Sequence, residues 1–305
     1  MKIGLALPHY DDSFPDRRTA TVGDVVGYAR RAEVLGFDSV WVSDHLFLDL
    51  GKYGAQARRL GTPEAFAMMS AVAAATQRVR IGSLVLCAPF RNARVTLAQA
   101  SSVNEASGGR LELGIGAGWY EPEFAEAGIP FGTPGSRIAH LADVARTLHG
   151  STQARVWIGG KGGPKIMRIV AESADGWNVV WAMTPDDYRA RLAVLDDACT
   201  TAGRDPGSVS KSIGFYTLLG TSDGDLAARY ERMQAFTPGI LDGVSLDAFR
   251  SKMLAGTAQE CAQRIKEFEA LGVSEIILTF GPSPFSVYDD EQLELAARDL
   301  IPLVR

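Results

Sequence analysis

Only three cysteines occur in the 305 residues, Cys87, Cys199 and Cys261. Their odd number and wide separation exclude a disulfide framework and a thiolate metal site of ordinary spacing. A reducing compartment suits such a chain, and the expectation is a cytoplasmic protein. The formal net charge is only −5, with Lys and Arg scattered among Asp and Glu, so no basic stripe points to a nucleic-acid partner. No apolar run approaches the ~20 residues of a membrane span. Residues 1–7 are interrupted too soon by Pro8 to act as a signal peptide. The four histidines stand in no metal-ligand spacing with carboxylates, and neither a GxSxG elbow nor a Ser/His/Asp order is present. What remains is an ordinary globular composition, 46% hydrophobic and 22% charged, in a chain long enough to bury a large core without covalent staples.

Short apolar runs alternate with helical stretches along the whole chain. Strand-like runs fall at 2–7, 39–42, 79–86, 111–115, 155–158, 177–180, 211–219 and 275–280. Helical spacing occupies 22–35, 64–76, 95–106, 137–148, 166–173, 186–202, 258–271 and 291–300. The strands are continuously apolar, as expected when both faces are buried. A doubly wound open sheet shares this local pattern, but eight strands and eight helices in this length predict a (β/α)8 TIM barrel. No linker divides the chain, so a single domain over residues 1–305 is expected. An insertion at 221–256 separates strand seven from its helix and is expected to carry short extra helices and to shape a lid or a substrate wall.

In such a barrel the chemistry lies just past the C-terminal ends of the strands. Strand four ends in Gly114, Gly116 and Gly118, followed by Trp119 and Tyr120. Glycine lets a backbone or a flat ring approach closely, so this end is either a seat for a planar ligand or a tight turn. Ser43, Asp44 and His45 follow strand two. Asp44 and His45 are the leading catalytic candidates, a carboxylate beside an imidazole that can serve as acid, base or donor. Neighbouring strand residues point opposite ways, so they need not pair with each other. The other reading is a loop capped by Asp44 with His45 packed beneath it. Gly159, Gly160, Lys161, Gly162 and Gly163 precede a helix at Pro164. They form either a phosphate cradle of backbone N–H groups or a flexible turn. Their spacing is not that of a P-loop. Trp41, Trp157 and Trp177 are expected in the core, while His9, Tyr10, Trp119 and Trp181 are candidates for the substrate pocket.

Several motifs, taken together, resemble one family. They are Gly36-Phe-Asp-Ser-Val-Trp-Val-Ser-Asp-His45, Arg80-Ile-Gly-Ser83, Pro89-Phe-Arg-Asn92, the stretch from Ser107 through the glycines to Glu121, Val156-Trp-Ile-Gly-Gly160 and Ala174-Asp-Gly-Trp-Asn178. The chain resembles the luciferase-like monooxygenase superfamily, specifically its deazaflavin (coenzyme F420)-dependent oxidoreductases. The resemblance implies a barrel that is usually a homodimer, with the cofactor at the C-terminal mouth and a small-molecule substrate. It implies that Asp44 approaches the polar edge of the ring system and that His45 positions substrate or moves a proton. It implies a bulge with a non-proline cis peptide at about Ser83, Leu84 and Val85 backing the ring, with Gly116 and Gly118 beside it. It brings the cofactor phosphate to Gly159, Gly160, Gly162 and Gly163, with Lys161 adding charge.

Two departures are visible. Family sugar-phosphate dehydrogenases carry an acidic group directly after the glycine run, where this chain has Trp119, and Glu121 could substitute only if the loop turns. The connection before strand five, at 150–154, is also shorter than usual. The expected activity is hydride transfer between coenzyme F420 and a small organic substrate. The alternatives are an FMN-dependent monooxygenase using molecular oxygen and a barrel that binds its cofactor without catalysis. Arg91, Arg94, Lys161, Lys165 and Arg168 are the candidates for a basic channel that would favour the long acidic tail of F420 over FMN.

Overall fold

The computed structural model describes residues 1–16, 18–181 and 183–305. The first strand, β1 (Lys2–Ala6), is buried beyond its first residue. Helix α1 (Val22–Leu35) opens on a reciprocal capping box between Thr21 and Asp24 and ends at Gly36, whose φ of 87° is costless only for glycine. β2 (Ser39–Val42) is followed by an antiparallel hairpin of β3 (Phe47–Asp49) and β4 (Arg59–Gly61) that the sequence pattern did not signal, and by α2 (Ala65–Ala75). The run expected as one third strand is split into β5 (Arg80–Ser83) and β6 (Leu86–Cys87) by a cis Leu84–Val85 bond.

The chain continues through α3 (Ala93–Ala106), β7 (Leu111–Gly116), a short α4 (Glu121–Glu126), α5 (Pro134–Leu148), β8 (Arg155–Gly159), α6 (Pro164–Ser173), β9 (Gly176–Trp181), α7 (Pro185–Thr201) and β10 (Ser210–Leu219). The insertion holds α8 (Asp223–Phe236), which is longer than expected, α9 (Leu246–Lys252) and β11 (Leu254–Gly256), which extends the sheet beside β10. Then come α10 (Ala258–Ala270), β12 (Glu275–Thr279), α11 (Glu291–Leu295), a π turn and α12 (Ile301–Val304).

Parallel pairing runs β1–β2–β5–β7–β8–β9–β10–β12 and returns to β1, with Lys2 opposite Glu275 and Gly176 opposite Ser210. Among the described residues, these eight strands close into the expected barrel. At the N-terminal end of its interior lies a buried polar layer. Arg80 reaches Glu112 at 2.8 Å and Glu275 at 2.9 Å. The indole of Trp157 donates to Glu112, that of Trp41 to Ser39, and Ser39 to Glu275. Trp41 and Trp157 meet edge to face at 6.3 Å and fill the middle of the barrel. Their rings occupy the space where a Cβ on Gly82 or Gly176 would sit, at 2.1 and 2.3 Å. Trp177 is buried outside the barrel, stacked on Tyr188 at 5.2 Å. The bottom of the barrel is therefore closed by side chains, and the open end is the C-terminal mouth.

Candidate active site

A cavity of about 590 Å³ occupies that mouth. One wall is the bulge between β5 and β6, where Leu84 and Val85 face the cavity. The alternate glycines of β7 are explained by this bulge. A Cβ on Gly114 would lie 2.1 Å from the Ser83 carbonyl, and one on Gly116 or Gly159 would lie 2.7 Å from a Val85 methyl. The glycines accommodate Val85, and Val85 in turn presents the surface, so a direct approach of backbone to ligand is not what demands them. Gly118 is required for a different reason. Its φ is 74°, and a Cβ there would meet Phe124 at 2.6 Å. Ser83 does not line the cavity. Its buried hydroxyl donates to the Gly114 carbonyl at 2.8 Å and accepts from the Gly114 N–H at 2.9 Å, tying the bulge to β7.

Asp44 and His45 both line the cavity, and neither pairs with the other. The Asp44 carboxylate, 6% exposed, accepts two bonds from Arg91 at 2.6 and 2.9 Å and one from the Cys87 N–H at 2.9 Å. Arg91 also reaches Glu64 at 2.5 Å. Its charge is therefore engaged, and it is not a free member of a basic channel. The neighbouring Cys87 thiol is held above its usual pKa, first by burial and then by the Asp44 charge. Both causes favour the neutral thiol over the thiolate.

The carboxylate that holds His45 is Glu123, which the sequence reading missed. It is 2% exposed and lies 2.8 Å from His45 Nδ1, while its other oxygen accepts from the Leu46 N–H at 2.6 Å. Glu121, the residue considered as a substitute acid, is exposed at the first turn of α4 and does not line the cavity. The sequence did hold a signal. Glu121-Pro122 starts a helix, and two residues on a helix are about 200° apart, so an outward Glu121 turns Glu123 inward. Trp119 stands at the rim, 54% exposed, with its ring edge-to-face to His45 at 6.1 Å.

Of the two residues expected from the end of β1, only Tyr10 lines the cavity. His9 is fully buried behind it. Its Nδ1 lies 2.8 Å from the Leu7 carbonyl and its Nε2 2.9 Å from Ser43 Oγ, which also contacts the Tyr10 hydroxyl. Burial, assisted by the nearby His45 and opposed by the Leu7 bond, pushes the His9 pKa down to about 3. The ring is neutral at physiological pH. Trp181 lines the cavity as expected, edge-to-face with Phe285 at 5.5 Å.

The glycine turn after β8 divides. Gly159, Gly160 and Lys161 line the cavity, and the turn is anchored by the Trp177 indole donating to the Gly160 carbonyl at 2.9 Å. Gly162 and Gly163 do not line it. Gly162, at φ 76°, packs inward, where a Cβ would meet Met167 at 2.9 Å and Trp177 at 3.0 Å, and Gly163 is the N-cap of α6. A cation the sequence reading did not single out joins Lys161 on the wall. Arg137 of α5 donates to the Phe131 carbonyl at 3.1 Å and lies over the Phe131 ring at 3.7 Å. Among the described residues, no carboxylate stands within ion-pair distance of Arg137 or Lys161. Arg94, Lys165 and Arg168 are exposed and do not line the cavity.

Comparison with known proteins follows the same lines. The model of the luciferase-like monooxygenase family matches residues 1–240. The chain is 23% identical to a 5,10-methylenetetrahydromethanopterin reductase of Methanolobus tindarius, over 91% of this chain and 95% of that enzyme. It is 43% identical to an F420-dependent glucose-6-phosphate dehydrogenase of Amycolatopsis mediterranei (strain U-32), over 41% of this chain and 36% of that one. Its fold matches that of an F420-dependent secondary alcohol dehydrogenase, solved with an F420–acetone adduct, with a TM-score of 0.74 and 20% identity over 100% of this chain and 99% of that one.

Proposed function

The chain belongs to the luciferase-like monooxygenase family, and we propose that it is an oxidoreductase that moves a hydride between coenzyme F420 and a small organic substrate. The observation that carries this reading is the make-up of the mouth cavity. It combines an apolar bulge, a half-buried imidazole held by a buried carboxylate, and two cations that have no carboxylate partner among the described residues. A planar ring with a long acidic tail fits those walls. Leu84 and Val85 would back the ring, with Gly114, Gly116 and Gly159 giving the bulge its room. Gly160, Lys161 and Arg137 meet the anionic tail, where backbone N–H groups and fixed positive charge favour phosphate. The two dehydrogenases that this chain resembles are F420-dependent by name.

When bound, the deazaflavin supplies a carbon centre that accepts or donates a hydride. The residues supply orientation and proton handling. Glu123 fixes the His45 ring through Nδ1, which leaves Nε2 to hold or deliver a proton at the substrate oxygen. Asp44, already satisfied by Arg91 and the Cys87 amide, acts as a fixed negative charge at the wall rather than as a proton carrier. Tyr10, Trp119, Trp181 and Phe285 bound the space left for the substrate. The same proposal includes one barrel domain over residues 1–305, a homodimeric assembly and a cytoplasmic setting. The last is supported by three cysteines that are free and buried.

Fluorescence-quenching titrations of the purified protein with F420 and with FMN test the cofactor. Binding of F420 in clear preference to FMN is expected. Tight FMN binding with none of F420 overturns the choice. His45→Ala is expected to keep F420 binding and to lose hydride transfer.

A further inference from the structure

Three hydrogen bonds lead from the cavity wall to a buried histidine, and the chemistry of the inner end fixes the direction of all three. The Leu7 carbonyl can only accept, so His9 Nδ1, 2.8 Å away, carries a hydrogen. His9 Nε2 faces two groups of Ser43, the hydroxyl at 2.9 Å and the backbone N–H at 3.4 Å. A backbone N–H can only donate, so Nε2 presents a lone pair. The ring is fully buried and packed 4.5 Å from Tyr10 and 4.8 Å from Phe285, and a flip would set a C–H against the Leu7 carbonyl. His9 is thus the neutral Nδ1–H tautomer.

The consequence passes outward. Ser43 has one hydroxyl hydrogen, and Nε2 takes it. Ser43 Oγ must then accept from the Tyr10 hydroxyl, with which it makes a short contact. Tyr10 also has one hydrogen, and it is spent on Ser43, while the residue borders the cavity with the 1% of its surface that is exposed. A tyrosine ordinarily offers a ligand either a donor or an acceptor. This one offers only its lone pairs.

We propose that Tyr10 is a specificity-determining hydrogen-bond acceptor of the site, so that the bound ligand presents an O–H or N–H to it and a carbonyl, ether or carboxylate oxygen at that point is rejected. The donor is either an N–H or O–H of the cofactor ring or a hydroxyl of the substrate. The chemistry is the same in both, and only the name of the ligand rests on the proposed function.

Long-range 1H–15N spectra of the free protein read the first half of the argument. The Nδ1–H tautomer of His9 at pH 7 is expected, and an Nε2–H tautomer reverses the chain and overturns the proposal. The second half uses Tyr10→Phe, which keeps the ring, and Ser43→Ala, which frees the Tyr10 hydrogen to turn toward the cavity. Both are titrated with F420, and with phenol and anisole as a matched pair with and without a donor. Loss of one neutral hydrogen bond corresponds to about 3- to 10-fold in affinity. A loss of that size for F420 in both variants assigns the donor to the ring. An unchanged F420 affinity with the wild-type preference for phenol over anisole abolished assigns it to the substrate. No change in either measurement overturns the proposal. If wild-type protein takes up no F420, the proposed function fails, while the histidine spectrum and the phenol–anisole pair on the free protein still decide the role of Tyr10.

Discussion

Acid should destabilise this protein through His9, and the size of the effect follows from its burial. In the unfolded chain the imidazole takes up a proton near its ordinary 6.5, whereas in the folded protein it resists until about pH 3. The folded state therefore loses ground as pH falls from 6.5 toward 3 and is unaffected above that window. The sign is that of a group buried neutral that must charge to unfold favourably. At 1.36 kcal/mol per pH unit, the loss is roughly 2 kcal/mol between pH 7 and pH 5, roughly 3 by pH 4, and at most roughly 5. His9→Gln supplies the test. The glutamine can place an acceptor oxygen toward Ser43 but cannot titrate. Urea denaturation of wild type and variant at equilibrium, from pH 8 to pH 4, gives two stability curves. Titrating carboxylates contribute to both and cancel in the difference. The variant is less stable at pH 7, and its deficit is expected to shrink by about 2 kcal/mol on reaching pH 5. Parallel curves across that range would refute the reasoning, because they would mean that the folded barrel accepts a charged His9 at no cost.

Four further outcomes are expected. Glu123→Gln leaves either His45 Nδ1 or the Leu46 N–H facing an amide NH2, which costs about 1.5–3 kcal/mol of charge-assisted bonding. It should lower the hydride-transfer rate about 10- to 100-fold in stopped-flow measurements with little change in F420 affinity, and an unchanged rate removes Glu123 from the mechanism. Arg91→Ala strands the buried Asp44 carboxylate and should cost about 3–5 kcal/mol in denaturant melts, with Arg91→Lys failing to restore the two-pronged contact. Gly116→Ala and Gly159→Ala push a methyl against Val85 and should each cost about 1–3 kcal/mol and weaken F420 binding, while Gly163→Ala, with open space and an ordinary φ of −73°, should behave as wild type. Arg137→Ala and Lys161→Ala should weaken F420 binding and flatten its dependence on salt, measured by quenching titrations at several ionic strengths.

The alternation of strand and helix, the eight-strand count and the ends of most elements were legible because they are local properties. Continuous apolar runs and helical spacing that stops at Gly36 each act within a few residues of themselves. Placement at strand ends likewise carried Tyr10, Asp44, His45, Trp119 and Trp181 correctly to the mouth, since a barrel gathers those ends whatever their identity. Partnership was not legible. Asp44 is answered by Arg91, 47 residues on, and His45 by Glu123, 78 residues on, and neither spacing follows any local period. The hairpin of β3 and β4 and the turn of α4 are too short for periodicity to register.

The glycines show the division most clearly. The sequence left Gly114, Gly116 and Gly118 as either a seat for a planar ligand or a tight turn, and only the folded chain shows that Gly114 and Gly116 make room for the bulge at Val85. The same holds for His9, whose position after β1 suggested the cavity, whereas its side chain turns behind Tyr10 to meet Ser43. The sequence by itself determined which residues reach the rim, because backbone periodicity is set by near neighbours. Which side chain faces which, and so which charges are free and which are held, was decided by barrel closure, because that brings together strand ends distant in the chain at fixed register.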